Sequence, residues 1–248
     1  MQRQFDPAEP ELMDRPQPVS DELARDLENL RRLNSWFGSY RLVRAFLRCW
    51  FQPGGNYRIL DLATGYGDIP RMIVAWSRAM GCTVQIDAVD QQSATLQLAE
   101  KASHGCSEIR YQQADALTYS ASGTYDLVLC SLALHHFSER DAVKLLRQAR
   151  TLSHENVLVA DLERSTFTAA CVWFLTSTIF REPMTRHDAR VSVQRAFSFR
   201  EMTDLAHAAG WEQFGQQRFF PARQAIWLRQ HISGMQPLTN GAPFDYAT

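Results

Sequence analysis

A short apolar run that contains an acid, followed by two glycines, could bind a nucleotide-like ligand. The apolar run 59–62, which contains Asp61, leads into the turn 63–67 (ATGYG), and apolar residues recur at helical spacing over 69–76. Glycine lets a backbone adopt positive φ and approach a ligand closely, and the first turn of a helix presents free N–H groups. The pattern predicts strand, turn and helix, with a ligand at the turn.

Two further acids follow predicted strands. Residues 83–89 predict a second strand that ends at Asp90, and residues 109–113 predict a third that runs into Asp115. An acid about 20 residues beyond such glycines is placed to accept hydrogen bonds from ribose hydroxyls. Either acid alone could be a helix cap or a turn residue, but three acids at successive strand ends favour binding.

Histidines occur at two places where they could act. His135 and His136 follow a fourth predicted strand, 126–130, at the edge where open α/β sheets bind ligands. One of the pair is expected to pack against ligand or sheet, and His136 is a candidate catalytic residue. No third histidine or carboxylate lies at metal-ligand spacing beside them, so the sequence predicts no metal.

The glycine spacing separates two classes of cofactor. A dinucleotide fingerprint requires a third glycine, where this chain has Pro70. The frame D-x-(G/A)-x-G-x-G over 61–67 instead resembles motif I of the class I S-adenosylmethionine-dependent methyltransferases. Ala63 stands where that family usually has glycine, and the Ala-Thr-Gly form is similar to that of ubiquinone and menaquinone C-methyltransferases.

The resemblance implies a fold, a cofactor and a set of contacts. The expected fold is α/β and Rossmann-like: a seven-stranded, mostly parallel sheet with an antiparallel C-terminal hairpin strand and helices on both faces. The implied cofactor is S-adenosylmethionine, with its amino-acid, ribose and adenine parts near Asp61, Asp90 and Asp115. The expected cofactor-binding residues are Asp61, Ala63, Thr64, Gly65, Gly67, Asp90, Gln91, Asp115, Ala116, Cys130, Ser131 and His135.

Composition excludes several classes of protein. The 248 residues suit one α/β domain with additions, and 45% hydrophobic residues can form an ordinary core. A formal net charge of -1 argues against a nucleic-acid partner. The five cysteines are scattered without a C-x-x-C pair, which indicates neither disulfides nor zinc. With no signal peptide or transmembrane run expected, the chain is predicted to be cytoplasmic.

The predicted organisation has four parts. Residues 1–19 are expected to be flexible, 20–55 to form a helical cap over the cleft, 56–230 to form the methyltransferase domain, and 231–248 to be a mobile tail. A helical lid is predicted at about 163–197. The cap could equally be a purely structural addition.

The predicted lid is expected to select the acceptor. Residues 165–180 are apolar on every side, so they should be buried, line a pocket or form a homodimer interface. Residues 186–197 are interpreted as a polar connector before a capped helix at Ser198. This block, R-H-D followed by S-V-x-R-A-F, resembles that of small methyltransferases associated with bacterial type III polyketide synthases, which implies a phenolic or alkyl-phenolic acceptor.

His187 is the candidate general base. It lies beside Asp188 in the predicted connector, and a histidine could remove a phenolic proton near neutral pH. An equally simple interpretation is that His187 only links the lid to the core. Two alternative functions stay open: a nicotinamide-dependent oxidoreductase, and an S-adenosylmethionine-binding protein with a non-methylating role as a cyclase or partner protein. Whether methylation is at oxygen or carbon also stays open.

Overall fold

A seven-stranded sheet lies at the centre of the fold. The computed structural model describes residues 1–179 and 182–230, and the predicted tail at 231–248 lies outside this part of the chain. The elements in chain order are α1 (Asp21–Trp36), α2 (Ser39–Trp50), β1 (Asn56–Leu62), α3 (Asp68–Met80), β2 (Thr83–Asp90), α4 (Ser93–Ala102), β3 (Ile109–Gln113), β4 (Tyr125–Ser131), α5 (Glu139–Leu152), β5 (Ser153–Leu162), α6 (Thr166–Thr178), α7 (Pro183–Arg195), α8 (Phe199–Ala208), β6 (Gly215–Phe219) and β7 (Arg223–Arg229).

The strand order creates a single switch point. The order across the sheet is β3-β2-β1-β4-β5-β7-β6, with β1 to β5 parallel and β7 antiparallel to both β5 and β6. The chain winds outward from β1 in one direction and, after β3, returns to continue from β4 in the other. A cleft therefore opens at the carboxyl ends of β1 and β4. The predicted fold class is confirmed.

Both faces of the sheet are buried, which is why its central strands are nearly continuous apolar runs. Ile59 packs with α2 and α3 through partners such as Phe46 and Ile73. Its neighbour Leu60 points to the opposite face and packs with α5, for example with Leu146. Because successive strand residues alternate between faces, β1 is held from both sides and its carboxyl end has a fixed position.

Residues 186–197 were interpreted as a polar connector, and this interpretation is wrong for most of the segment. They belong largely to α7, whose buried residues recur at helical spacing at Thr185, Asp188, Ala189, Ser192, Val193 and Arg195. Four of these six are polar, so the buried face does not appear as an apolar stripe in the sequence. The capped helix predicted at Ser198 is confirmed, since Ser198 and Glu201 form a capping box.

The N-terminal segment packs on α7, although the sequence predicted a loose chain. The backbone N–H groups of Leu12 and Met13 donate to the buried carboxylate of Asp188 at 2.8 and 2.9 Å. Arg3 donates to the carbonyl oxygens of Arg195 at 2.6 Å and Phe137 at 2.8 Å. The prolines and charges of the segment suggested disorder, but its polar groups are satisfied by partners distant in sequence.

Helix α6 buries one side and exposes the other. Val172 and Thr176 face inward, and Arg190 on α7 donates to the Thr176 hydroxyl at 3.1 Å. Trp173 and Phe174 are each about 60% exposed. No helix within the described residues combines the length and apolar character needed to cross a membrane. The roles of α6 as a lid or as a dimer interface stay predictions.

We expect Asp188→Ala to release the N-terminal segment from α7. Two backbone N–H groups would lose their acceptor, and an unsatisfied buried donor costs about 1–3 kcal/mol. Hydrogen exchange at the amides of Leu12 and Met13 should become at least about tenfold faster, since 1.4 kcal/mol corresponds to a factor of ten. The exposed Asp204 on α8 provides the control, Asp204→Ala, and equal exchange rates in both variants would contradict this account.

Candidate active site

A cavity of about 440 Å³ lies at the carboxyl ends of the parallel strands. Its polar walls are the loops after β1, β2, β3 and β4, and its apolar walls come from the N-terminal segment, α1, α6 and α7. Helix α1 is attached to the start of α3, directly after the turn that follows β1, because Asn34 donates to Asp68 at 3.3 Å. Tyr40 of α2 donates to the same carboxylate at 2.9 Å. The two N-terminal helices are thus anchored beside the turn at 63–67.

Asp61 is a buried acid with unused hydrogen-bonding capacity. Its side chain is 1% exposed, and one oxygen, Oδ2, accepts the Thr64 hydroxyl at 2.6 Å. Within the described residues the other oxygen, Oδ1, is buried without a hydrogen-bond partner. Burial raises the pKa of Asp61 to about 7. A buried acceptor without a partner is costly, so this oxygen is suited to receive a donor from a ligand.

The turn after β1 contains three residues with positive φ. Ala63, Gly65 and Gly67 have φ values of 55°, 53° and 67°. A Cβ at Gly67 would collide with the hydroxyl of Tyr111, so glycine is required there for space as well. Left-handed φ costs a residue with a Cβ about 1–2 kcal/mol. This cost explains why glycine is usual at the position that Ala63 occupies, and it means that Ala63 is strained.

Asp90 holds the same turn from the neighbouring strand. Its two carboxylate oxygens accept the backbone N–H groups of Gly65 at 2.8 Å and Gln92 at 2.9 Å. Burial raises the pKa of Asp90. Each carboxylate oxygen can accept a second hydrogen bond, so Asp90 can still bind hydroxyl groups. Gln91, the next residue, also lines the cavity.

Asp115 and Ala116 form the part of the wall that follows β3. The Asp115 carboxylate is exposed and accepts the backbone N–H of Leu117 at 2.9 Å, so it shapes its own turn. Ala116 is buried beside it. Both residues line the cavity, and their contact with a cofactor stays a prediction.

The loop after β4 brings the two histidines to the cavity wall. The Nδ1 atom of His135 lies 2.7 Å from Asp161 Oδ1, and its backbone N–H donates to Asp161 Oδ2 at 2.9 Å. The Nδ1 atom of His136 lies 2.6 Å from Asp14 Oδ2. The two imidazole rings are adjacent, with centroids 4.2 Å apart. Each ring is therefore held by its own carboxylate.

Carboxylates dominate the electrostatics around His136. Burial lowers the pKa of His136, but the charges of Glu11 and Asp14 outweigh burial and raise it to about 10. Burial also raises the pKa of Glu11, whose side chain is 2% exposed. The carboxylates around His136 thus favour a positive charge at this place, and the catalytic role of His136 stays a prediction.

Three predicted site residues do not line the cavity. Gly67 shapes the turn from behind, and Cys130 is 1% exposed within the core, where burial raises its thiol pKa well above the usual value. The His187 ring bonds Asp188 through Nδ1 at 2.9 Å, and its side chain is 46% exposed. Its role as a base stays a prediction. The remaining predicted residues, including Thr64 and Ser131, line the cavity.

Sequence reasoning missed three acids of the site: Glu11, Asp14 and Asp161. Asp161 lies one residue before the end of β5, as Asp61 does in β1, so the same positional signal could have identified it. Glu11 and Asp14 carry no such signal, because they lie in a proline-rich segment interpreted as flexible. Their place beside the histidines follows only from how that segment folds back onto α7.

Comparison with known proteins agrees with this geometry. Residues 59–156 match a family model described as a methyltransferase domain. This confirms the recognition of a class I methyltransferase made from 61–67, while the finer likeness to enzymes of polyketide and quinone metabolism stays a prediction. No curated protein sequence matches the chain at a significant level.

Solved structures share the fold at low sequence identity. The plantazolicin methyltransferase BamL, solved with a triazolic desmethylPZN analogue and SAH, is 12% identical with a TM-score of 0.64, covering 84% of this chain and 91% of its own. Human N-acetylserotonin methyltransferase, solved with SAM, is 16% identical with a TM-score of 0.60, covering 84% and 56%. A putative O-methyltransferase from Nostoc punctiforme is 20% identical with a TM-score of 0.56, covering 78% and 56%.

The strain at Ala63 predicts opposite effects for two matched substitutions. Ala63→Gly should raise the free energy of unfolding by about 0.5–1 kcal/mol, because relief of left-handed φ exceeds the added backbone entropy of the unfolded chain. Ala75→Gly, at an exposed position inside α3, should lower it by about 1 kcal/mol. Chemical denaturation measures both, and a destabilised Ala63→Gly protein would show that the turn is not strained.

Proposed function

We propose that this chain, whose residues 59–156 match a methyltransferase-domain model, is an S-adenosylmethionine-dependent methyltransferase acting on a small apolar acceptor of phenolic or quinone-like character. The observation that carries the proposal is Oδ1 of Asp61, which is buried without a partner among the described residues, beside a turn of positive-φ residues at the switch point of the sheet. The polar wall of the cavity would hold the cofactor, and the apolar wall would hold the acceptor.

The chain's acids would divide the cofactor between them. Asp61 would accept hydrogen bonds from the amino group of the methionyl part. Asp90 would accept them from the ribose hydroxyls, and Asp115 from the adenine amino group. The Ser131 hydroxyl, buried without a partner among the described residues, is a further group available to this ligand. The cofactor supplies an electrophilic methyl group when bound. The protein's task is to place an acceptor atom in line with that group and to exclude water.

The acceptor would lie among α1, α6 and α7. Leu33, Phe37, Leu162, Val172 and Ala189 form one buried apolar cluster and also line the cavity. An aromatic ring would bury its faces there and keep its polar substituents toward the histidines. A cavity of about 440 Å³ falls within the usual 300–1,000 Å³ range of small-molecule sites.

Product analysis tests the proposal directly. Incubation of the protein with S-adenosylmethionine and a panel of alkylresorcinols and quinones should yield a product heavier by one methyl group, and fragmentation should distinguish oxygen from carbon as the acceptor. A parallel titration with NAD(H) should give no saturable binding. Tight S-adenosylmethionine binding with no labelled methyl group reaching any acceptor would instead favour a non-methylating role.

Cofactor affinity should depend on the ionisation of Asp61. Its pKa is raised to about 7, and only the ionised carboxylate attracts an ammonium group. Affinity for S-adenosylhomocysteine should therefore rise from pH 6 to pH 8, by up to about tenfold per pH unit below the pKa, and level off above it. Asp61→Asn should bind more weakly and lose this slope, whereas Asp204→Asn should retain it. Calorimetry at several pH values would reject the assignment if Asp61→Asn kept the wild-type profile.

His187→Ala tests the proposed general base. Loss of a general base lowers kcat by about 10²–10⁴, with unchanged S-adenosylhomocysteine affinity. A base at His187 requires the ring to leave Asp188 and turn toward the cavity. His207→Ala, at an exposed position of α8, is the matched control. Near wild-type turnover of His187→Ala with the true acceptor would leave His187 a structural role only.

A further inference from the structure

Two histidines and a buried glutamate converge on the cavity wall. One ring nitrogen each from His135 and His136 and a carboxylate oxygen of Glu11 lie within 4.8 Å of one another. His135 Nε2 lies 3.7 Å from Glu11 Oε1. Ligands at about 2.1 Å from a tetrahedral zinc ion lie about 3.4 Å apart, so small side-chain movements would bring these atoms to ligand positions.

The partners of each side chain are those of a metal ligand. Histidines that bind a metal usually donate their other ring N–H to a carboxylate, and ligating carboxylates are themselves hydrogen-bonded. Nδ1 of His135 lies 2.7 Å from Asp161 Oδ1, and Nδ1 of His136 lies 2.6 Å from Asp14 Oδ2. The Ser192 hydroxyl donates to Glu11 Oε1 at 2.9 Å. All three candidate ligands have the supporting contacts that orient a metal-binding group.

Charge also favours a cation at this place. Three carboxylates, from Glu11, Asp14 and Asp161, contact the two rings. The two rings lie side by side, with centroids 4.2 Å apart, between these carboxylates. A divalent cation bound by both rings would offset the negative charge of the three carboxylates.

We propose that His135, His136 and Glu11 bind one divalent transition-metal ion of the zinc class. Two imidazoles and one carboxylate suit zinc, cobalt or iron(II) better than magnesium or calcium, which prefer oxygen ligands alone. All three residues line the cavity, so the fourth coordination position is accessible to a ligand in it. Given the proposed function, that position would take an acceptor oxygen, lowering the pKa of its hydroxyl and directing methylation to oxygen.

Metal binding can be measured without any methyl acceptor. Untagged protein dialysed against a chelator is titrated with Zn²⁺ by calorimetry and with Co²⁺ by visible absorption. The wild type should bind one equivalent, with cobalt d–d bands and no cobalt–thiolate charge-transfer band. Absence of binding, or a thiolate band from a cysteine, would overturn the proposal whether or not the chain is a methyltransferase.

Variants locate the ion. His136→Gln and Glu11→Gln should each weaken Zn²⁺ binding by at least about 100-fold, and Asp14→Asn by about 10–100-fold, as expected when a ligand's supporting carboxylate is lost. His154→Gln removes another histidine–carboxylate pair, with Asp126, and should bind within about twofold of the wild type. Circular dichroism and S-adenosylhomocysteine binding verify that each variant is correctly folded. Wild-type affinity in both His136→Gln and Asp14→Asn would place the ion elsewhere and refute the site.

Discussion

Buried or partly buried carboxylates that accept backbone N–H groups determine where the loops of this site lie. Asp90 holds the turn after β1 through Gly65, Asp161 holds the loop after β4 through the N–H of His135, and Asp188 holds the N-terminal segment. A buried carboxylate is stable only when hydrogen-bonded, and a loop N–H away from water also needs an acceptor. Each pairing therefore satisfies both groups and leaves the loop little freedom.

The strand order determines what those loops can surround. Because the order of strands reverses beside β1, the loops after β1 and β4 diverge and leave a cleft between them. The acids at the strand ends face this cleft, and Asp61 retains an oxygen with no hydrogen-bond partner in the described part of the chain. The apolar wall is added by α1, α6 and α7. The polar and apolar walls thus come from different parts of the chain.

The N-terminal segment is the least expected part of the site. It brings Glu11 and Asp14 to the histidines after β4, and Gln92 donates back to the carbonyl oxygen of Asp14 at 2.5 Å. Its attachment to α7 through Asp188 also links the apolar wall of the cavity to the histidines. Whatever displaces this segment would change the charge around His136 and open the apolar wall together.

The sequence by itself determined the sheet and most of the polar wall of the cavity. Alternating apolar runs, the ATGYG turn and the acids at Asp61, Asp90 and Asp115 are local signals, because strand ends and positive-φ turns depend on neighbouring residues. Only the tertiary structure decided that polar residues form the buried face of α7 and that Glu11 reaches His135. Those outcomes depend on polar contacts between residues far apart in the chain, such as Asp188 with Leu12, which no local pattern encodes.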